Sequence, residues 1–482
     1  MLIINASIKN SSLADRERAA GELVYVEDND NDIVKRLIEI AHNYDLAAHD
    51  SRRLECYLVF NESTSLWLMQ TIGVPDEILD KVDVFATTRE DLLAKAVLLK
   101  LPNQDSLFPP LARTPILYDG ESTVHLVIFG FSSQAEALAI NASLIAHYPN
   151  YCRDVRLRTR ITIIDDDVYE CKDQLTQRYV HLFDNSYYRT IDLNDANPQC
   201  VLHCPQYEHR RKDFVDIEWE FVNGNIRNEA VRQKLEEWSV DSRQQLTIAL
   251  CHDDQIKNYN EAFSMPLDVY NNDVTILCHT DQNEIIRMAT SGAAFASVYP
   301  FGESLCDIGI LRSIKRMAQR VNYICNHCFS LAPDDPITAP SAIDEEKLEA
   351  QWRNVGSMTK QYSNIFNAMT LATKMHSVGH DSADWREYYA LTLDEITMLT
   401  EVEHNRWNVE ELILGYRPTT DEEQRLIEND ISLKKVFRNK KIHYDLRAYD
   451  DLRSDSTGKN VNVYDMALTQ GIPLIIKSCI TD

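Results

Sequence analysis

The sequence predicts an α/β protein, a Rossmann-like parallel sheet or sheets followed by a mainly α-helical domain. Two observations predict it. Short runs of β-branched and aromatic residues, such as "TVHLVIFG" and "RITIID", alternate with helical patterns from residue 122 onward. Alternation of this kind builds a mostly parallel sheet covered on both faces. Beyond residue 345 the strand-like runs give way to helical spacing.

Taken in order, residues 1–118 read as an N-terminal α/β region. "NDIVKRLIEIAHNY" has helical spacing, "RLECYLVF" and "VDVFATT" are strand-like, and "REDLLAKAVLLKL" is helical. The proline-rich "LPNQDSLFPPLARTP" breaks the chain before the next unit. Residues 119–310 form the Rossmann-like domain. After "TVHLVIFG" come the helix "SQAEALAINASLIAHY", the strand "RITIID", and the strand candidates "YRTIDL", "VDIEWEF", "QLTIALC", "DVTILC" and "FASVYPFG". Residues 311–345 are a helix and the linker "APDDPITAPSAIDEE", and 346–482 are the helical domain.

Composition sets limits on function. A chain of 482 residues suggests about three domains at ~150 residues each. Hydrophobic residues at 44% and charged residues at 26% are globular proportions. Asp and Glu outnumber Lys and Arg by 75 to 49, a formal charge of −26, which repels polyanions and argues against general nucleic-acid binding. A local basic patch can still hold a small anion. There is no signal-peptide pattern and no run of the roughly 18 apolar residues that span a bilayer, so a soluble, cytoplasmic chain is expected. The eleven scattered cysteines then read as reduced thiols. "CNHC" (Cys325, His327, Cys328) and "CVLHC" (Cys200, His203, Cys204) lack the glycine-rich turns of zinc knuckles, and no metal is expected.

The nucleotide-site candidate is the turn "GFSSQA". Gly130, Ser132 and Ala135 fall on the three positions of G-x-G-x-x-G/A, where a helix N-terminus offers N–H groups to a pyrophosphate. Serine at the second position departs from the pattern, because glycine there lets backbone approach phosphate. Asp165, at the end of the second strand, could accept from a ribose hydroxyl, although 35 residues separate it from Gly130 where ~20 is usual. No Ser–His–Asp order or Tyr-x-x-x-Lys follows the strands. "HLVIFGFSSQAEAL", "RITIIDDD" and "VYPFG" resemble the NAD-binding (TrkA-N) domain of Trk-type potassium transport proteins over residues 120–310. That resemblance implies a domain that binds NAD or another adenine nucleotide and gates a separate membrane partner without performing chemistry.

The second candidate is the helix holding "EHNRWNVEELILGY". Thr392 and Glu395 make a capping box at its start, and Gly415 stops it. Ile396, Leu399, Val402, Val409 and Ile413 form an apolar stripe with Arg406 in its gap and Glu403 one turn behind. An ion pair between these two is one explanation. A ligand pocket is the other, favoured by the segment 432–459, whose eight Lys and Arg against four Asp interleave with Phe437, Tyr444 and Tyr449. "EHNRWNVEELILGYRP", "NKKIHYDLRAYDDL" and "GIPLII" resemble the ryanodine-receptor-type (RyR) repeat domain over residues 348–478. The resemblance implies a non-catalytic helical module for nucleotide-type ligands, with Glu403, His404, Asn405, Arg406, Trp407, Lys441 and Tyr449 as ligand residues. Tyr449 stands where the family has tryptophan. Arg406 is expected to be tied to Glu403, with His404 or Trp407 nearer the ligand.

The expected function is therefore a nucleotide-sensing regulatory protein, a homo-oligomer that controls a separate channel or a defence effector. Two alternatives stay open: a nicotinamide- or nucleotide-processing enzyme of bacterial antiviral signalling, using Asp253 or Asp254, and a structural assembly protein with degenerate ligand sites.

Overall fold

The computed structural model describes residues 2–5, 23–26, 29–45, 53–102, 104–195, 197–205, 213–281, 284–302, 305–331, 338–355, 357–380, 390–452 and 462–480. Residues 332–337 of the expected linker and 453–459 of the basic segment lie outside the described residues.

The chain opens with β1 (Leu2–Asn5), β2 (Leu23–Val26), β3 (Leu54–Phe60) and β4 (Val82–Thr88). They form a parallel sheet in the order β2-β1-β3-β4. The sequence marks β3 and β4, seven residues each and rich in β-branched and aromatic side chains. It does not mark β1 and β2, four residues each and too short for periodicity. Three helices accompany the sheet: α1 (Asp30–Asn43), α2 (Ser63–Ile72) and α3 (Arg89–Leu98). The caps are local. Asn29 accepts from the Asp32 N–H and Thr88 from the Asp91 N–H, each satisfying a donor the helix leaves open.

The second sheet begins with β5 (Thr123–Phe129), helix α4 (Ser133–Ile145), β6 (Thr159–Asp165) and helix α5 (Val168–Arg178). It continues with β7 (Tyr187–Asp192), β8 (Cys200–His203), β9 (Ile217–Asn223) and helix α6 (Glu229–Val240). β10 (Gln244–Leu250), helix α7 (Gln255–Ala262), β11 (Thr275–His279) and β12 (Val298–Phe301) complete it. The strand order is β12-β11-β10-β5-β6-β9-β7-β8, parallel throughout except for the antiparallel edge strand β8. The direction of winding reverses between β5 and β10, and the crevice at their carboxyl ends is where doubly wound sheets bind ligands.

β5 explains why its residues read as a continuous hydrophobic run. Leu126 and Ile128 enter one core, and Val127 and Phe129 enter another on the opposite face. The second core is closed by α6 and α7. The first continues through α4 into the N-terminal sheet and the helical part of the chain. α4 is buried from Gln134 to Ile145 except at Ala137, because it packs on β5 and β6, on α3 and on a helix from the C-terminal part. Its alanines let these layers approach closely.

The remaining main helices are α8 (Ile308–Ser330), α9 (Glu345–Arg353), α10 (Met358–Met369), α11 (Leu371–Ser377), α12 (Leu393–Ile413) and α13 (Val463–Ile480). The single helical run expected over "TKQYSNIFNAMTLATKMHSVG" is two helices, divided at Thr370. α8 packs against α3, α9, α10 and α13. Its Lys315 pairs with Glu55, and with Asp83 at 3.6 Å, so it also ties down the N-terminal sheet. Among the described residues no helix is long and apolar enough to cross a membrane.

β4 is an edge strand whose open side is covered rather than extended. The Tyr362 hydroxyl on α10 donates to the Ala86 carbonyl at 3.1 Å and accepts from the Ala86 N–H at 3.2 Å. Tyr362→Phe leaves both buried backbone groups unpaired. We expect a loss of roughly 1–3 kcal/mol in denaturant unfolding; an unchanged midpoint would show that the edge does not depend on this phenol.

Candidate functional site

The expected pyrophosphate turn sits at the switch point of the large sheet, and its own side chains fill it. Gly130 has φ +80, and a Cβ there would lie 2.3 Å from His252 Nδ1. His252 follows β10, so the imidazole lies against the glycine where a Rossmann turn would bring phosphate. It is held in place on two sides. The His252 N–H donates to Asn258 Oδ1 at 2.8 Å, and its Nε2 lies 2.9 Å from the Glu261 carboxylate.

Ser132 stands at the second motif position and caps α4. Its hydroxyl accepts from the Ala135 N–H at 3.3 Å and donates to the Cys251 carbonyl. This serine therefore takes up an N–H that a phosphate would otherwise use. Ala135 is fully buried, the small residue that close helix–strand packing requires. Asp165 ends β6 as expected, but both of its oxygens face backbone. One accepts from the Phe131 N–H at 3.0 Å and the other from the Asp167 N–H at 2.8 Å. The first turn of α4 also carries buried Glu136, which is ion-paired with Arg178 and accepts from the Tyr179 hydroxyl at 3.1 Å. The first turn of α4 thus already holds an ion pair of its own.

The capping box and the glycine stop of α12 form as expected. Thr392 and Glu395 exchange both bonds, Gly415 has φ +82, and Tyr416 N–H donates back to the Glu411 carbonyl. From Leu399 to Ile413 almost every side chain is buried, including the polar ones. Glu403 accepts from Arg406 Nε at 2.9 Å and Nη2 at 2.8 Å, from Asn367 Nδ2 at 2.7 Å, and from the Lys374 ammonium. Arg406 also pairs with Glu410. Burial opposes the Glu403 charge, but Arg406 and Lys374 outweigh it and hold the carboxyl at about 2. Glu403 and Arg406 are each 1% exposed, so the ion-pair half of the expectation holds and no open face is left for a ligand at this pair.

The other expected ligand residues surround a neighbouring aromatic group. His404 Nδ1 lies 3.1 Å from Asp465, and its Nε2 lies 3.0 Å from the Arg447 carbonyl. Trp407 is half-buried, its ring 5.5 Å from His404 and 4.9 Å from His443. Tyr449 is half-buried too, 5.9 Å from His404, and its hydroxyl accepts from Asn462 at 3.0 Å. Asn405 instead contacts Cys152 Sγ at 3.7 Å, on the segment after α4. Lys441 stands apart. Its ammonium donates to the Thr71 and Leu414 carbonyls at 3.0 and 3.2 Å, capping α2 and α12, and lies 4.3 Å from the Tyr416 ring centre.

Of the expected metal candidates, Cys325, His327 and Cys328 lie on α8, while Cys200 and His203 lie on the edge strand β8, where His203 stacks on Tyr188. Among the described residues no group of three or more His, Cys, Asp or Glu converges as a metal site. Asp254 caps α7 by accepting from the Ile256 N–H at 2.9 Å, and Asp253 is exposed beside it.

Sequence reasoning did not single out His252, Glu261, Asn258, Lys374, Asp465 or His443. His252 directly precedes Asp253 and Asp254, the aspartates considered for the enzyme alternative. Together the two regions define an α/β protein whose switch-point turn is self-filled and joined to a helical body with an ionic interior. Comparison with protein-family models, curated proteins and solved structures finds no match for this chain.

Two outcomes follow. Gly130→Ala demands a left-handed backbone from alanine and drives its methyl into the His252 ring. We expect about 1–3 kcal/mol of destabilisation from the backbone alone; a melting temperature equal to wild type would refute the packing described. The second concerns Glu411, which is buried with Oε2 unpartnered; burial first, then neighbouring Glu410, pushes its pKa up from 4.5. A carboxyl raised in the folded state binds its proton more tightly there, so stability falls as pH rises above about 4.5. Glu411→Gln should match wild type near pH 4 and be the more stable at pH 8. Parallel stability curves for the two proteins would contradict this assignment.

Proposed function

We propose that this chain is a non-catalytic nucleotide sensor in which a Rossmann-like sheet and an RyR-like helical module act together on a partner. The observation that carries the reading is the position of α4. This helix begins at the switch-point turn, where doubly wound sheets meet their ligands, and packs directly on α12. A ligand-dependent shift at the turn thus reaches the helical module through one buried helix. Asn405 and Trp67 add polar contacts around the same junction, to Cys152 Sγ and from the indole N–H to the Ile413 carbonyl at 3.1 Å.

The ligand class in this reading is an adenine nucleotide such as NAD, ATP or ADP-ribose. The output is a change in how the helical module meets a second protein, a channel or a defence effector, within a homo-oligomer. The absence of chemistry rests on the roles of the polar groups: Asp254 is a cap, and His252 and Glu261 hold one another.

Thermal-shift and hydrogen-exchange measurements with NAD, ATP and ADP-ribose test this. A ligand at 100 times its dissociation constant adds about 2.7 kcal/mol, enough to raise the melting point by a few degrees. Slower exchange is expected in both 133–145 and 393–413. Binding without any change in 393–413 would sink the sensor reading, and steady nucleotide turnover would overturn its non-catalytic part.

A further inference from the structure

We infer that phosphate is bound not at the glycine turn but in the crevice between α6 and α7, which takes the phosphate groups of a phosphorylated ligand. The inference deepens the nucleotide-sensing reading by giving it a site. The crevice measures about 460 Å³ and is walled by Arg227, Arg232, Ile256, Lys257 and Glu261, with Ile226, Asp254, Asn260 and Ser264 completing it. That volume suits a small ligand. Its position follows from topology: Arg227 lies just beyond β9 and Lys257 in the first turn of α7 just beyond β10, both at the carboxyl edge of the sheet.

Charge decides what it would hold. Three cations face the crevice in a chain of net charge −26. Among the described residues the Arg227 guanidinium and the Lys257 ammonium have no hydrogen-bond or ion-pair partner, and Arg232 donates only to the Ser264 carbonyl at 3.0 Å. The two carboxylates in the wall are committed elsewhere. Glu261 lies against His252, and Asp254 caps α7. Three cations against two carboxylates leave the wall net positive, and its two guanidinia suit forked bonds to phosphate oxygens. Ile226 and exposed Ile256 supply an apolar wall for a ring attached to those phosphates.

The crevice also touches the switch point. Glu261 lines it, and its carboxylate holds the His252 ring against Gly130, the residue from which the turn into α4 starts. A ligand seated beside Glu261 thus acts on the turn without entering it. This reconciles a self-filled turn with a ligand-responsive sheet.

The test is isothermal titration of the full chain with pyrophosphate and with ADP-ribose, on wild type and on the double variant Arg227→Gln/Lys257→Gln. Neither side chain has a partner to lose, so folding should be unchanged, as circular dichroism would verify. Expected is binding of both probes by wild type and an affinity at least tenfold weaker in the variant. Equal affinity in the two proteins would overturn the crevice assignment and leave the sensor reading standing. Binding lost in the variant while ADP-ribose leaves amide exchange in 393–413 of wild type unaltered would uphold the crevice and refute the sensor. No binding of either probe by wild type would overturn the crevice site.

Discussion

A carboxylate buried at the centre of the helical body organises much of what surrounds it. Glu403 accepts from Arg406, Lys374 and Asn367, residues on three different helices. Desolvating charges in this way is expensive, and only complete pairing makes it tolerable. Removing one partner from such a set costs about 3–5 kcal/mol, because the charge left behind has no water to turn to. The network therefore ties α10 and α11 to α12 at one buried point. α12, so held, packs on α4, as does α10.

The other constraint acts at the switch point. A glycine in the left-handed region usually leaves room for a ligand, yet here the room is taken by an imidazole. Ser132 and Asp165 complete the filling, by capping the helix and bonding the turn. A doubly wound sheet is thus combined with a turn whose polar groups bond the protein itself. The cations Arg227 and Lys257, unpartnered among the described residues, lie farther along the same edge.

The sequence revealed those parts of the fold that depend on neighbours in the chain. β5 and β6 were legible because strands buried on both faces must be apolar throughout, and α12 because its capping box and glycine stop are local. β1 and β2 were not, since four-residue strands carry no period. Strand order was also hidden, above all the insertion of β9 between β6 and β7. The same division runs through the site. Glu403 and Arg406 are three residues apart and could be paired by inspection. His252 lies 122 positions beyond Gly130, and nothing near either residue announces the contact. Arg227, Arg232 and Lys257 were invisible for a different reason. Each is an ordinary surface cation in its own segment, and only the meeting of two helices makes them a cluster.

These features explain how a protein with a closed interior could still respond to a small molecule. Neither the ionic core nor the self-filled turn can admit a ligand without breaking bonds worth several kcal/mol. In the proposed reading the crevice can, because the Arg227 and Lys257 side chains have no ion-pair partner among the described residues. From there a rigid path leads inward: Glu261 to His252, His252 to Gly130, and Gly130 through the turn to α4. α4 is buried from Gln134 to Ile145 except at Ala137, and close packing favours its moving as a body. α12 is locked by its own charges and would transmit such a displacement rather than absorb it. In the proposed reading, that rigidity is what would let an anion in the crevice be felt at α12.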